Sequence, residues 1–455
     1  MGGMQGVRGS MNRRVVVTGL GPVSSIGIGN ETFWKNAVQG KGHFGNVDFT
    51  DVELDQYRSR VCSPVDGFSL EDHFENPKRL KRAGRATQYT AVGALLALMD
   101  AGFKIEQVSQ ANPEGPSVFW LNEVEPLRCG VILGQSESNV DVMLRGHISF
   151  LQNRGPKRVN PITLPQSNCN VGATTVAEWF YLRGTCFTIA TACSSATHAI
   201  GMATINIQNG IEDIVLTGGA DSTLDSYFFS GFDLLRALSR NNDEPEKASR
   251  PFDRERDGFV LGEGAGILVL EELGHARKRG ARIYGEVIGF GYSTDAYNIV
   301  APDPYATASI NAVKKALAMA KISPQEVEYI NAHGTSTVLN DPNETYIIKQ
   351  TFGDYAYKVP ISSSKSYFGH TIGAAGGLES IVTCLAMAHD EIPPTSNLEN
   401  PDVDYVDEAT PHLDKRCDLD YVPGVSRKKN VSIALKESFG FGGQNGAVVY
   451  KKFEE

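Results

Sequence analysis

Short aliphatic and β-branched runs recur along the chain at 14–18, 129–133, 188–191, 214–217, 265–270, 327–331 and 431–435. Runs of this length between glycine-rich or polar segments predict buried strands. Alanine-rich stretches at 87–101, 195–209, 306–320 and 374–389 are long enough for three to four helical turns and predict helices. Strands that alternate with helices predict an α/β protein with layered helices and a largely parallel sheet. A charged segment at 278–283 separates one strand–helix series from the next, which divides the chain into residues 12–281 and 282–455, each expected to hold its own sheet. Residues 1–11 read as a leader or a cloning remnant. Two stretches, 112–128 with three prolines and the acidic 401–416, read as inserted surface loops.

Composition narrows the class. With 455 residues and 41% hydrophobic content, the chain can bury a core of two domain-sized halves. A net charge of -10 and a pI near 5.5 leave no global footprint for nucleic acid. Seven cysteines, odd in number and without a CxxC pair, indicate neither a disulfide framework nor a zinc site, and fit a reducing, cytoplasmic setting. No uninterrupted apolar run of about 18 residues is present to span a bilayer.

Candidate chemistry lies at strand ends. In TIATACSSATHAIG, Cys193 follows an apolar run and opens a helix of small residues. A thiol there meets unpaired backbone N–H groups and the positive end of the helix dipole, which favours thiolate and later stabilises an oxyanion. His333 in EYINAHGTST and His370 in SSSKSYFGHTIGAAG occupy glycine-flanked loop ends, where neutral imidazoles can donate to a thioester carbonyl. A buried structural cysteine and packing histidines are the plain alternatives, and three such residues together count against them. In ESFGFGGQNGAVVY, four glycines surround Phe439 and Phe441, as expected where backbone turns sharply beside an aromatic gate.

TACSS, the SRPFDRERDGFVLGEGAG block, NAHGTST, SKSYFGH and SFGFGG follow one another in the order and spacing of the β-ketoacyl synthases of the thiolase-like superfamily, over about residues 12–453. The chain resembles above all the elongating (KAS II) members. The resemblance implies a thiolase fold, two pseudo-symmetric βαβαβαββ halves in a five-layer α-β-α-β-α sandwich, usually as a homodimer. It implies Cys193 as nucleophile, His333 and His370 as the histidine pair, and Lys365 as their electrostatic support with Glu344 as a carboxylate near that lysine. It also implies Phe441 as the gate whose N–H completes an oxyanion hole with that of Cys193, and Phe439 as its support. No metal and no cofactor are implied.

The implied reaction is a decarboxylative Claisen condensation of acyl- and malonyl-acyl carrier protein through an acyl-Cys193 thioester. Lys78, Arg79, Lys81, Arg82 and Arg85 in NPKRLKRAGRATQY form a basic patch that would steer an acidic carrier protein. Several departures bear on the pathway: Val338 stands where proline is usual, VLNDPNET resembles ketosynthase subunits of type II polyketide systems, Glu437 replaces a common asparagine and Gln444 a usual threonine. The alternative reading is therefore a ketosynthase subunit of a polyketide or aryl-polyene system that acts with a chain-length-factor partner. A non-catalytic partner subunit is disfavoured by the retained Cys193, His333, Lys365 and His370. A degradative thiolase acting on coenzyme A esters is disfavoured by the two-histidine constellation.

Overall fold

The computed structural model describes residues 13–107, 119–121 and 124–454. The segment 1–11 and most of 112–128, read above as a leader and an insertion, lie outside the described residues. Ten strands are labelled here: β1 (Val15–Ser24), β2 (Cys129–Gly134), β3 (Cys186–Ile189), β4 (Ile214–Asp221), β5 (Gly264–Glu272), β6 (Gly285–Thr294), β7 (Tyr329–Asn331), β8 (Ile361–Ser362), β9 (Ile433–Gly440) and β10 (Gln444–Lys451). They run in the order β8-β7-β9-β10-β6-β1-β5-β4-β2-β3, and Gly27–Ile28 adds an eleventh strand on β1.

This is one continuous sheet. It comprises two five-strand layers, one per half as expected, joined at one edge where Val16 and Val17 of β1 pair with Glu286 and Gly285 of β6. The expectation of a largely parallel sheet is corrected. β2 runs parallel to β3 and β4, and β7 to β8 and β9, but β1–β5, β4–β5, β1–β6, β6–β10 and β9–β10 are antiparallel. Apolar runs reveal strands without revealing their pairing direction; the short Phe441–Gly443 connection between β9 and β10 permits only an antiparallel hairpin. The first five strands lie in the order β1-β5-β4-β2-β3 and the last five in the order β6-β10-β9-β7-β8, so the same path is traced twice.

Helices fill the layers between and outside the strands. α1 (Arg85–Asp100) and α2 (Val171–Trp179) pack outside the first five strands, and α4 (Thr307–Ala320) with α5 (Asn340–Phe352) outside the last five. α3 (Ser195–Gln208) and α6 (Ala375–His389) lie between the two sets, α3 against β2, β4 and β10 and α6 against β5 and β9. The result is the α-β-α-β-α sandwich of the thiolase fold. Both middle helices are predominantly apolar or small, as a helix enclosed by its neighbours requires, with His198 and Asn206 on α3 and Glu379 on α6 as buried polar exceptions. The stretch Ile372–His389 is apolar enough on average and long enough to cross a membrane, although Glu379, Ser380 and Thr383 interrupt it; 89% of it is buried as a central helix of the fold.

The two insertions differ. Within the first, Phe119–Leu121 pairs with Ile105–Gln107, and Phe119 packs on Phe74, Trp179 and Phe180, so this part is a buried strand rather than a surface loop. The second, 401–416, is an irregular loop pinned by Arg256 to Asp402 at 2.8 Å and by Lys349 to Asp414 at 3.1 Å.

Candidate active site

The nucleophile sits on a strained turn. Ala192 takes a left-handed φ of 50°, unusual for a residue with a Cβ, and this throws Cys193 to the tip between β3 and α3. Ser195 Oγ accepts the Thr191 N–H at 2.9 Å and donates to the Ala192 carbonyl at 2.6 Å, while Ser194 Oγ donates to the Gln444 carbonyl at 2.7 Å, so the turn is tied both to itself and to the hairpin of the other half. A Cβ built on Gly440 would lie 3.1 Å from the Cys193 nitrogen, so any larger residue would push β9 back from the nucleophile by a few tenths of an ångström. Backbone N–H groups of Phe441 and Cys193 both reach the sulfur, the pair expected to form an oxyanion hole.

Burial nevertheless decides the resting state of the thiol. Cys193 is 8% exposed, and desolvation pushes its pKa up to about 11, against the opposing pull of the Lys365 ammonium and the two N–H groups. The expectation that the helix terminus favours thiolate is therefore corrected: desolvation outweighs the dipole here.

The histidines are both held as neutral donors. His370 Nε2 lies 3.0 Å from Cys193 Sγ, and its Nδ1 accepts the Ile372 N–H at 3.2 Å, so the ring proton resides on Nε2. Lys365 Nζ lies 3.1 Å from His333 Nδ1, and an ammonium can only donate, so His333 also carries its proton on Nε2. Burial, then the Lys365 charge, holds both imidazoles well below their ordinary pKa. The rings stand 5.4 Å apart at 87°, and the ligating atoms of Cys193, His333 and His370 lie within 4.8 Å of one another. That spacing would also suit a metal ion, but Lys365 and Lys436 place two ammonium groups beside the rings, a field that favours a developing oxyanion over a dication.

Lys365 is 1% exposed and forms a buried ion pair with Glu379 of α6. Glu344 lies within the electrostatic reach of this lysine, as expected, and is held by backbone, accepting the N–H of His333 at 2.6 Å and of Gly334 at 2.7 Å. Glu379 is thus a functional residue that the sequence reading missed, although a single acid inside the apolar AGGLESIVTCLAMAH helix was a visible signal. Asp221 was missed as well. Its carboxylate accepts N–H groups of Ser136, Ser138 and Gly373 at 2.8–2.9 Å, and so anchors the turn that follows His370.

A cavity of about 240 Å³ reaches these residues from the surface. Phe441 and Phe439 line it, with Phe439 edge-on to His333 at 6.0 Å and Phe441 beside Phe232 at 6.4 Å. Thr335, Thr337 and the exposed Val338 form part of its wall.

The basic patch divides. Lys78, Arg79, Lys81 and Arg82 are exposed, Arg79 paired with Glu178 at 2.6 Å and Lys81 with Glu71. Arg85 is withdrawn: its guanidinium lies over Phe68 and Tyr89 and donates to Tyr89 Oη at 2.7 Å, so this member is structural.

A thiolase fold with a cysteine at a strained helix start and two Nε2–H imidazoles beside a buried lysine defines a condensing enzyme of the ketosynthase class. The family model described as "Beta-ketoacyl synthase, N-terminal domain" matches residues 12–276 and its C-terminal counterpart matches residues 284–399, so the chain belongs to the β-ketoacyl synthases. It is 38% identical to a 3-oxoacyl-[acyl-carrier-protein] synthase 2 of Synechocystis sp., over 97% of this chain and 99% of that one. Among solved structures, the ishigamide ketosynthase/chain length factor superposes with a TM-score of 0.83 at 29% identity, covering 97% of this chain and all of that one. A ketosynthase of a type II polyketide system, solved with its acyl-carrier protein and bound to the hexaketide, gives 0.83 at 30% identity over 97% of this chain and 100% of the matched chain.

Proposed function

We propose that the protein is a β-ketoacyl-[acyl-carrier-protein] synthase that elongates an acyl chain by two carbons through a thioester on Cys193. The Cys193 sulfur attacks the acyl thioester of the carrier protein, a new C–S bond forms, and the carrier's thiol leaves with the proton. Malonyl-carrier protein then binds. The bond to its free carboxylate breaks, carbon dioxide departs, and the electron pair collects as an enolate whose oxygen receives hydrogen bonds from His333 and His370 Nε2–H. The enolate carbon attacks the acyl-Cys193 carbonyl, held by the N–H groups of Cys193 and Phe441; the C–S bond breaks, and the departing thiolate takes up one proton from solvent to regain the thiol. Splitting the reaction this way replaces one difficult step by two, and the buried site keeps water from the carbanion.

The observation that carries this reading is the pair of Nε2–H imidazoles, both fixed by acceptance at Nδ1, beside one buried thiol. Such donors stabilise an enolate without protonating it. Lys78 and Arg82 are the carrier-docking residues in this reading, with Lys81 in support. The halves divide near residue 281, and the enzyme works in the cytoplasm as a dimer.

A second reading is specifically favoured by the likeness to a ketosynthase/chain length factor structure and by the NDPNET sequence. There the protein is the active subunit of a heterodimer that builds polyketide or polyene chains. The test is a condensation assay with the purified protein alone, acyl-carrier protein primers of several lengths and malonyl-carrier protein. A β-ketoacyl product two carbons longer supports the autonomous enzyme. Product only after a chain-length-factor subunit is added supports the second reading, and no product under either condition contradicts both.

A further inference from the structure

Two buried ionisable residues of β9 touch none of the reacting atoms as described. Lys436 and Glu437 are adjacent and fully buried, and strand alternation sends them to opposite faces. Lys436 enters the central helix layer, where its ammonium reaches Thr197 Oγ1 at 2.8 Å and Glu379 at 2.9 Å, so Glu379 is shared by Lys365 and Lys436. Glu437 enters the outer layer and meets Glu344 of α5.

We propose that Glu437 and Glu344 share one proton and that this acid pair is a positioning element for His333. Neither carboxyl oxygen of Glu437 has an N–H or O–H donor among the described residues, and the group it contacts is another carboxyl. Two buried carboxylates in contact repel, whereas one proton between them turns the clash into a hydrogen bond and satisfies an oxygen on each side. Glu344 spends its remaining acceptor capacity on the His333 and Gly334 N–H groups and, at 3.3 Å, on Asn340 Nδ2. The state of the shared proton therefore acts on the loop that carries His333.

The groups facing the pair are Lys436 beside it on β9, Asp341 on α5 with Arg256 at 4.0 Å, Lys365, Glu379 on α6 and His333 itself. Burial, with the like charge of the partner acid, raises Glu437 well above the carboxylate range; burial likewise raises Glu344, with Asp341 adding to the rise and Lys365 opposing it. Both shifts favour a pair that holds one proton. Once it is lost at alkaline pH, a second negative charge competes for the Lys365 ammonium and draws it from His333 Nδ1. This step rests on the reading of His333 as the enolate donor.

Glu437→Gln tests it, because an amide donates to Glu344 permanently and cannot be deprotonated. The variant is expected to decarboxylate malonyl-carrier protein within about twofold of the wild type near neutrality, and to lose the alkaline decline that the wild type shows. Glu437→Leu, which leaves Glu344 without the donor, is expected to slow decarboxylation about tenfold while sparing acyl transfer to Cys193. Infrared difference spectra read the proton without turnover: the wild type shows a protonated buried carboxyl at neutral pH, lost in Glu437→Gln and at alkaline pH. Absence of that absorption in the wild type overturns the shared proton whether or not the protein condenses. An alkaline decline unchanged in Glu437→Gln overturns the positioning role.

Discussion

Lys365 Nζ stands 3.1 Å from Nδ1 of His333, so its ammonium occupies the nitrogen that an imidazolium would have to protonate. The contact fixes the tautomer and, after burial itself, is the largest influence holding His333 neutral. Lys365→Met removes a like charge and leaves Glu379 without one of its two cations. Both changes favour protonated His333, so its pKa is expected to move up toward the ordinary value of about 6.5. Histidine NMR titration of wild type and variant measures this, and an unmoved His333 resonance would count against the assignment.

The two histidines are expected to differ in what they support. His370 touches the sulfur and His333 does not. His333→Ala should slow malonyl decarboxylation by about 10²–10³-fold, the cost of losing one oxyanion donor, and leave acylation near wild type. His370→Ala should impair both steps. Single-turnover acylation and carbon dioxide release measure them separately, and equal losses of both steps in His333→Ala would indicate a structural role.

Burial of Cys193 sets the pH dependence of its alkylation. With the thiol pKa pushed up to about 11, the thiolate fraction grows about tenfold per pH unit from neutrality upward. Iodoacetamide inactivation should therefore keep accelerating to strongly alkaline pH. A rate that levels off near neutrality would show a preformed thiolate.

Charge reversal on the basic patch separates docking from chemistry. Lys78→Glu with Arg82→Glu is expected to raise KM for acyl-carrier protein by about tenfold at low salt with kcat little changed, and the effect should shrink as salt is added. Arg85→Ala should act on thermal stability instead, because that guanidinium is spent on Tyr89 and Phe68. A KM that ignores the double reversal would place docking elsewhere.

Much of this arrangement was legible in the sequence because it is written locally. The apolar runs that end at Cys193 and His333 mark real strand ends, and helix starts at Arg85, Ser195, Thr307 and Ala375 lie within two residues of expectation. What escaped depended on contacts between distant segments. Pairing direction, the Val16–Glu286 join and the direct ion pair of Lys365 with Glu379 are properties of packing that no local pattern carries. The thiol was misjudged for a related reason: the helix start at Ser195 is visible in the sequence, but the depth at which Cys193 is buried is not.

The central claim is that an acyl group passes from carrier protein to the sulfur of Cys193. Peptide mass spectrometry after brief exposure to acyl-carrier protein tests it most directly, since the adduct has a defined mass and position. The wild type should carry one acyl group on the peptide containing Cys193, Cys193→Ala should carry none, and malonyl-carrier protein should discharge the adduct as β-ketoacyl-carrier protein. Acylation at another residue, or condensation undiminished in Cys193→Ala, would contradict the account.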